Sequence, residues 1–129
     1  MTALTGGCLC GSVRYRATTE PMNPHMCHCT MCQRASGAPM VGWISFPLDR
    51  FAFTSGEPTY YRSSPGIRRG FCVNCGSALV FHPDGRPRIG ITLASLDHPE
   101  AVSPKFHIYD TTKWVTLSDG LPSYPAEKR

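Results

Sequence analysis

No stretch of this 129-residue sequence approaches the roughly 18 consecutive apolar residues of a membrane-spanning helix, so no membrane partner is expected. The first residues carry no positive segment followed by an apolar run, and a secretory leader is not expected either. Internal repeats, low-complexity blocks and linker-like stretches are missing. That argues for one domain over residues 1–129, a common size for one core. Long runs of helical periodicity are missing as well. So is a basic block: Lys and Arg are scattered, Arg68 and Arg69 being an adjacent pair. The formal charge of +4 would fall to about +1 if the seven cysteines held two divalent ions as thiolates. Nucleic acid is therefore not an expected partner.

Cysteine is abundant instead. Seven cysteines without a leader argue for a reducing cytoplasm, where clustered thiols serve as metal ligands or redox groups rather than as a disulfide framework. The odd count points the same way. Twelve Pro and twelve Gly imply short elements and many turns.

Short alternating runs predict strands. Val13, Tyr15 and Ala17 face one way, and Ser12, Arg14 and Arg16 the other. Further strands are expected at 40–46, 51–54, 59–63, 67–71, 78–82, 88–93 and 105–109, with turns at "LDRF", "SGEP" and "PDG". Helix is expected only as short turns near 30–35 and 97–101. The fold class is mainly β: small, strongly bent sheets stapled by metal, with little helix.

The cysteines fall into three groups. "GGCLCG" carries Cys8 and Cys10, which on a strand would share one face. "FCVNCGS" carries Cys72 and Cys75 in the C-x-x-C of a zinc knuckle. Both outer pairs are followed by glycine, which can take positive φ and turn backbone N–H groups toward the sulfurs. The middle group, Cys27, Cys29 and Cys32 in "MCHCTMCQRASG", is followed by Gln33 and Arg34. This asymmetry suggests that Cys8, Cys10, Cys72 and Cys75 close one tetrahedral Zn²⁺ site. Cys27, Cys29 and Cys32 would form a second site with an open position, the one expected to lose metal first. Two alternatives stand beside it. Cys29 and Cys32 could be a metal-free redox pair. Or His25, His28, His82 or His107 could supply a fourth ligand, His28 least readily because it lies between two ligands. Three thiolates on Zn²⁺ leave a net charge of about −1, which suits holding an incoming thiol as thiolate better than making hydroxide.

The motifs "GGCLCGSVRY", "CHCTMCQRASGAP", "RRGFCVNCGSALVF" and "PKFHIYDTTKWVTLSDGLPSY" resemble the glutathione-dependent formaldehyde-activating enzymes, a family that includes centromere protein V. The resemblance runs from about Leu4 to Tyr124 and keeps the order and spacing of all seven cysteines. It implies an Mss4-like fold of several coiled β-sheets around zinc. It also implies that Cys8, Cys10, Cys72 and Cys75 hold a structural zinc, and that Cys27, Cys29 and Cys32 hold a catalytic one. The activity it implies is carbon–sulfur lyase chemistry on a thiol adduct, forming S-(hydroxymethyl)glutathione from glutathione and formaldehyde. Arg34 is then a candidate for a substrate carboxylate, with Arg68 and Arg69 behind it, and Trp43 and Trp114 are candidates for a pocket wall. The competing functions are a zinc-stabilised protein-interaction module and a thiol redox or zinc-buffering protein.

Overall fold

The computed structural model describes residues 3–128. Ten strands follow one another: β1 (Leu4–Gly7), β2 (Arg14–Ala17), β3 (Met22–Cys27), β4 (Val41–Pro47), β5 (Phe51–Ser55), β6 (Thr59–Ser64), β7 (Ile67–Phe71), β8 (Ala78–Pro83), β9 (Arg88–Thr92) and β10 (Phe106–Ile108). One helix, α1 (Thr30–Ser36), follows β3. Short 3₁₀ turns cover Leu48–Arg50 and Pro99–Ala101, where a turn and a short helix are expected from sequence.

The strands form two sheets. One is three-stranded, β1-β2-β5, and the other seven-stranded, β10-β3-β4-β9-β8-β7-β6. Among the described strands the β10–β3 pair is parallel and the other strand pairs are antiparallel. The alternation of β2 is realised, with Tyr15 and Ala17 buried and Arg16 exposed. The core joins the two sheets. Tyr15 stacks on Phe51 at 5.3 Å, and Phe51 lies 5.8 Å from Phe46 of the larger sheet. Across β4, β9 and β8, Ile44 faces Ile91 and Ile91 faces Val80, a row of fully buried aliphatics. Cross-strand contact of branched side chains is what stabilises such a sheet.

One local expectation needs correction, and one strand is not foreseen by periodicity. Cys8 and Cys10 do not lie on a strand. β1 ends at Gly7, and a turn follows, closed by the Gly11 N–H donating to the Cys8 carbonyl at 3.1 Å. Gly11, at φ 81°, lets the chain turn there. The unforeseen strand is β3, which has no alternating signal and contains Pro24. Proline cannot donate to a ladder, but here the β3–β4 register shifts between Met22 and His25. The Pro24 carbonyl accepts from Lys105 N–H at 2.8 Å.

An ion pair ties the start of the small sheet to the loop after β9. Arg14 Nη2 donates to Asp97 Oδ2 at 2.6 Å, and Thr5 Oγ1 donates to the same oxygen at 2.6 Å. These two hydrogen bonds hold the Asp97 carboxyl down at about 2. The depressed value makes the linkage stabilising above the ordinary carboxylate range, and the contribution is lost as pH falls through about 2. Both side chains are about one-third exposed, so the gain is under about 1 kcal/mol. Asp97→Asn is expected to lower stability slightly at neutral pH and to converge with the parent near pH 2, as read by urea unfolding across pH. A constant difference at every pH would remove the linkage.

Candidate metal centre

Four thiols converge from two hairpin-like turns. Cys8 and Cys10 come from the turn after β1, and Cys72 and Cys75 from the turn between β7 and β8. Their sulfurs all lie within 4.8 Å of one another, with Cys8–Cys10 at 3.6 Å and Cys10–Cys72 at 3.8 Å. Four sulfurs around zinc at about 2.3 Å would stand about 3.8 Å apart, so the spacing fits a tetrahedral ion. Backbone donors already point inward: Val13 N–H reaches Cys8 Sγ at 3.3 Å. Gly76, at φ 78°, closes the second turn through its N–H to the Cys72 carbonyl at 2.7 Å. Leu9 N–H donates to Ser77 Oγ at 3.0 Å and so links the two turns directly. The Ser77 hydroxyl and N–H lower the Cys75 thiol to about 5, favouring the thiolate a metal needs.

The other three thiols also meet within 4.8 Å. Cys27 ends β3, held between Val41 of β4 and Ile108 of β10. Cys29 is the N-cap of α1, its sulfur accepting from Cys32 N–H at 3.2 Å. Cys32, in the first turn of α1, places its sulfur 3.4 Å from that of Cys27. Hydrogen bonds from the Cys27 and Cys32 thiols pull Cys29 far below the ordinary thiol range, while the bonds Cys27 makes with Cys29 and Cys32, followed by burial, push Cys27 up. The donor set fits a soft divalent metal such as zinc. Among the described residues neither group includes a histidine.

The histidines are engaged elsewhere. His25 Nδ1–H donates to the Asn23 carbonyl, 2.6 Å away, and the ring stacks on Phe106. His82 contacts the Arg86 carbonyl at 3.0 Å. His28 points away from the thiols into a fully buried position. Its Nε2 lies 2.9 Å from His107 Nδ1, and His107 Nε2 lies 2.8 Å from Asp119 Oδ2. Burial, followed by the charges of His107 and Lys113, depresses the His28 pKa and favours neutral imidazole. Thr112 Oγ1 and Gln33 Nε2 both donate to the His28 carbonyl, at 2.6 and 2.9 Å. The C-terminal tail thus clamps the loop that carries Cys27 and Cys29. Sequence reasoning missed this clamp; its one visible trace is the tail motif around His107 and Asp119.

A cleft of about 690 Å³ opens at the three-cysteine group, a size within the range of small-molecule sites. Cys27, Cys29 and Cys32 line it beside Trp43, Phe81 and Tyr109, and Arg69, Arg86, Arg88 and Lys128 add positive charge. None of the four other cysteines lines it. Arg34 lies elsewhere. It is exposed on α1 and lines neither this cleft nor the smaller cavity of about 230 Å³ beside Cys32. Successive helix residues turn by about 100°, so a residue two beyond the inward-facing Cys32 faces outward. Arg69 takes the inner place, with Nη2 3.6 Å from Cys32 Sγ. Trp43 is buried in the cleft wall, whereas Trp114 is 68% exposed.

No helix among the described residues is long and apolar enough to cross a membrane. A crystal structure of a Rhodobacter sphaeroides protein superposes with a TM-score of 0.62 at 20% identity, covering 93% of this chain and 98% of that one, which shows a shared fold. An uncharacterised lyase of Schizosaccharomyces pombe is 32% identical over 89 residues, 63% of this chain and 58% of the lyase. A protein of Halomonas elongata named as a putative glutathione-dependent formaldehyde-activating enzyme is 36% identical over 90 residues, 62% of this chain and 57% of its own length. The matched segment thus spans somewhat over half the length of these curated relatives. The model of the family described as glutathione-dependent formaldehyde-activating enzyme matches residues 3–112, and the chain belongs to that family.

Proposed function

We propose that this chain is a zinc-dependent enzyme of the carbon–sulfur lyase type. It acts on a thiol adduct, with glutathione and formaldehyde as the substrates to test first, and it works in a reducing cytoplasm as one domain over residues 1–129. Cys8, Cys10, Cys72 and Cys75 hold the structural zinc, and Cys27, Cys29 and Cys32 hold the reactive one. The observation that carries this reading is the contrast between the two groups. The four-thiol group is complete and away from the cleft, whereas the three-thiol group faces it. Zinc held by three thiolates supplies a fourth position that favours a sulfur anion over hydroxide.

The chain's own residues bind and orient. Arg86, Arg88 and Lys128 line the cleft and suit the carboxylates of a peptide thiol, while Glu127 suits its ammonium group. Trp43, Phe81 and Tyr109 narrow the space around the thiols and limit water there. With thiol and aldehyde held together, the sulfur lone pair forms the C–S bond and the carbonyl π pair moves to oxygen. The proton released by the thiol ends on that oxygen, so no other reactant is needed. Proximity supplies much of the acceleration in such a two-substrate addition.

Cobalt replaces zinc with visible bands and tests the reading. Glutathione added to the cobalt-loaded protein is expected to strengthen sulfur-to-metal charge transfer, and loss of Cys29 should abolish the change. A spectrum indifferent to glutathione and to other small thiols would leave the enzyme reading without support. The interaction-module reading would then lead.

A further inference from the structure

We infer that Arg69 is the counter-charge of the three-cysteine group and makes the cleft select an anionic fourth ligand over a neutral one. This assignment rests on the reading above, that a substrate sulfur enters at that group. Arg69 lies on β7 and is 6% exposed. Burying a guanidinium without a partner is strongly unfavourable, so a counter-charge is required nearby. Among the described residues no carboxylate forms an ion pair with it. Its acceptor is Cys32 Sγ at 3.6 Å. Among the described residues its buried Nε has no acceptor, so one donor remains for an arriving group. The guanidinium carbon lies 5.1 Å from the centre of the Phe81 ring and 6.0 Å from that of Trp43, aromatic faces that hold the charge in place and keep its surroundings dry.

The pleat of β7 decides which of the two adjacent arginines does this. Arg68 projects to the opposite face, where its guanidinium sits 4.2 Å over the Tyr60 ring. Three thiolates on a divalent ion carry one net negative charge, and Arg69 cancels it. An arriving thiolate then raises the local charge to one negative instead of two. A neutral ligand gains nothing from Arg69. A purely packing role for this side chain would affect anionic and neutral ligands alike.

The test is ligand titration of cobalt-loaded protein at one fixed pH. 2-Mercaptoethanol and azide serve as anionic probes and imidazole as the neutral one. Arg69→Met is expected to weaken both anionic probes by about ten- to a hundredfold, the range for one unit charge several ångströms away in a partly screened site. Imidazole should change by less than about twofold. Arg69→Lys, which keeps the charge but not the planar fork, should retain most of the preference. Arg69→Gln repeats the neutral arm if the Met variant misfolds. Equal weakening of all three probes, or no change in any, overturns the assignment while the thiol-binding reading stands. Failure of both neutral variants to load cobalt at the three-cysteine group, with the four-cysteine group filled, also overturns it by placing Arg69 in cluster assembly. Wild-type protein that binds no thiol overturns both the assignment and the reading beneath it.

Discussion

Cys75→Ser is expected to unfold the domain near physiological temperature and to reduce bound zinc by at least one equivalent. Cys8→Ser should do the same, although the two residues lie far apart in the chain. The reason is the closure of the four-thiol group. Its ligands come from two turns, one following β1 in the small sheet and one between β7 and β8 in the large sheet. The hydrogen bonds from Leu9 N–H to Ser77 Oγ and from Asn74 Nδ2 to Ser12 Oγ also join those turns, each worth far less than a bound metal. Structural zinc sites contribute on the order of 10 kcal/mol or more to folding. That matches or exceeds the roughly 5–15 kcal/mol by which a typical domain is stable. Serine is a poor zinc ligand, and it leaves three charged thiolates to be neutralised or reprotonated. Thermal unfolding and metal counting on the same samples would decide the matter. An unchanged transition together with full zinc content in either variant would sink the four-cysteine grouping.

Cys29→Ser should behave oppositely: turnover falls at least about a hundredfold while the fold survives. A removed metal ligand explains the first effect, because loss of a group acting directly on the reacting sulfur commonly costs several kcal/mol of transition-state stabilisation. The second follows from where Cys29 sits. It is the N-cap of α1, with its sulfur accepting the Cys32 N–H. Serine is among the preferred N-cap residues and can accept the same hydrogen bond. The helix start is therefore preserved, so the capping part of the stability change should stay within about 1 kcal/mol, with the rest set by the zinc lost. Zinc content should drop by one equivalent with the four-thiol group still loaded. Glutathione–formaldehyde adduct formation above the uncatalysed background, read beside thermal unfolding, separates the two effects. Activity within about twofold of the parent would remove the three-cysteine group from the chemistry.

Much of this molecule is legible in the chain itself. The alternation at Val13, Tyr15 and Ala17, the β-rich run from 40 to 93 and the short helix after Cys29 follow from side-chain periodicity, a local property. The division of seven cysteines into four and three is legible as well, from the residues that follow each group. Glycine after Cys10 and Cys75 marks two matching turns, and both glycines take positive φ. That Cys8 and Cys10 share a site is readable too, but the cause is a turn instead of a strand face. Spacing of i and i+2 is compatible with either, and the Cys8–Gly11 hydrogen bond that decides between them is invisible in one dimension.

Other features belong to the tertiary structure alone. β3 carries Pro24 and no clean alternation, and it forms because β4 and β10 pair with it on both sides. The clamp from Asp119 through His107 to His28 joins residues brought together by that parallel pairing. The exchange of Arg34 for Arg69 has the same origin. Arg34 is close to the ligands in sequence but turned outward by helical pitch, whereas Arg69 is remote in sequence and turned inward by the pleat of β7. Periodicity tells which face a residue is on. Which faces meet depends on strand order, and the placing of β10 beside β3 and of β9 beside β4 joins strands distant in the chain, which local periodicity does not specify.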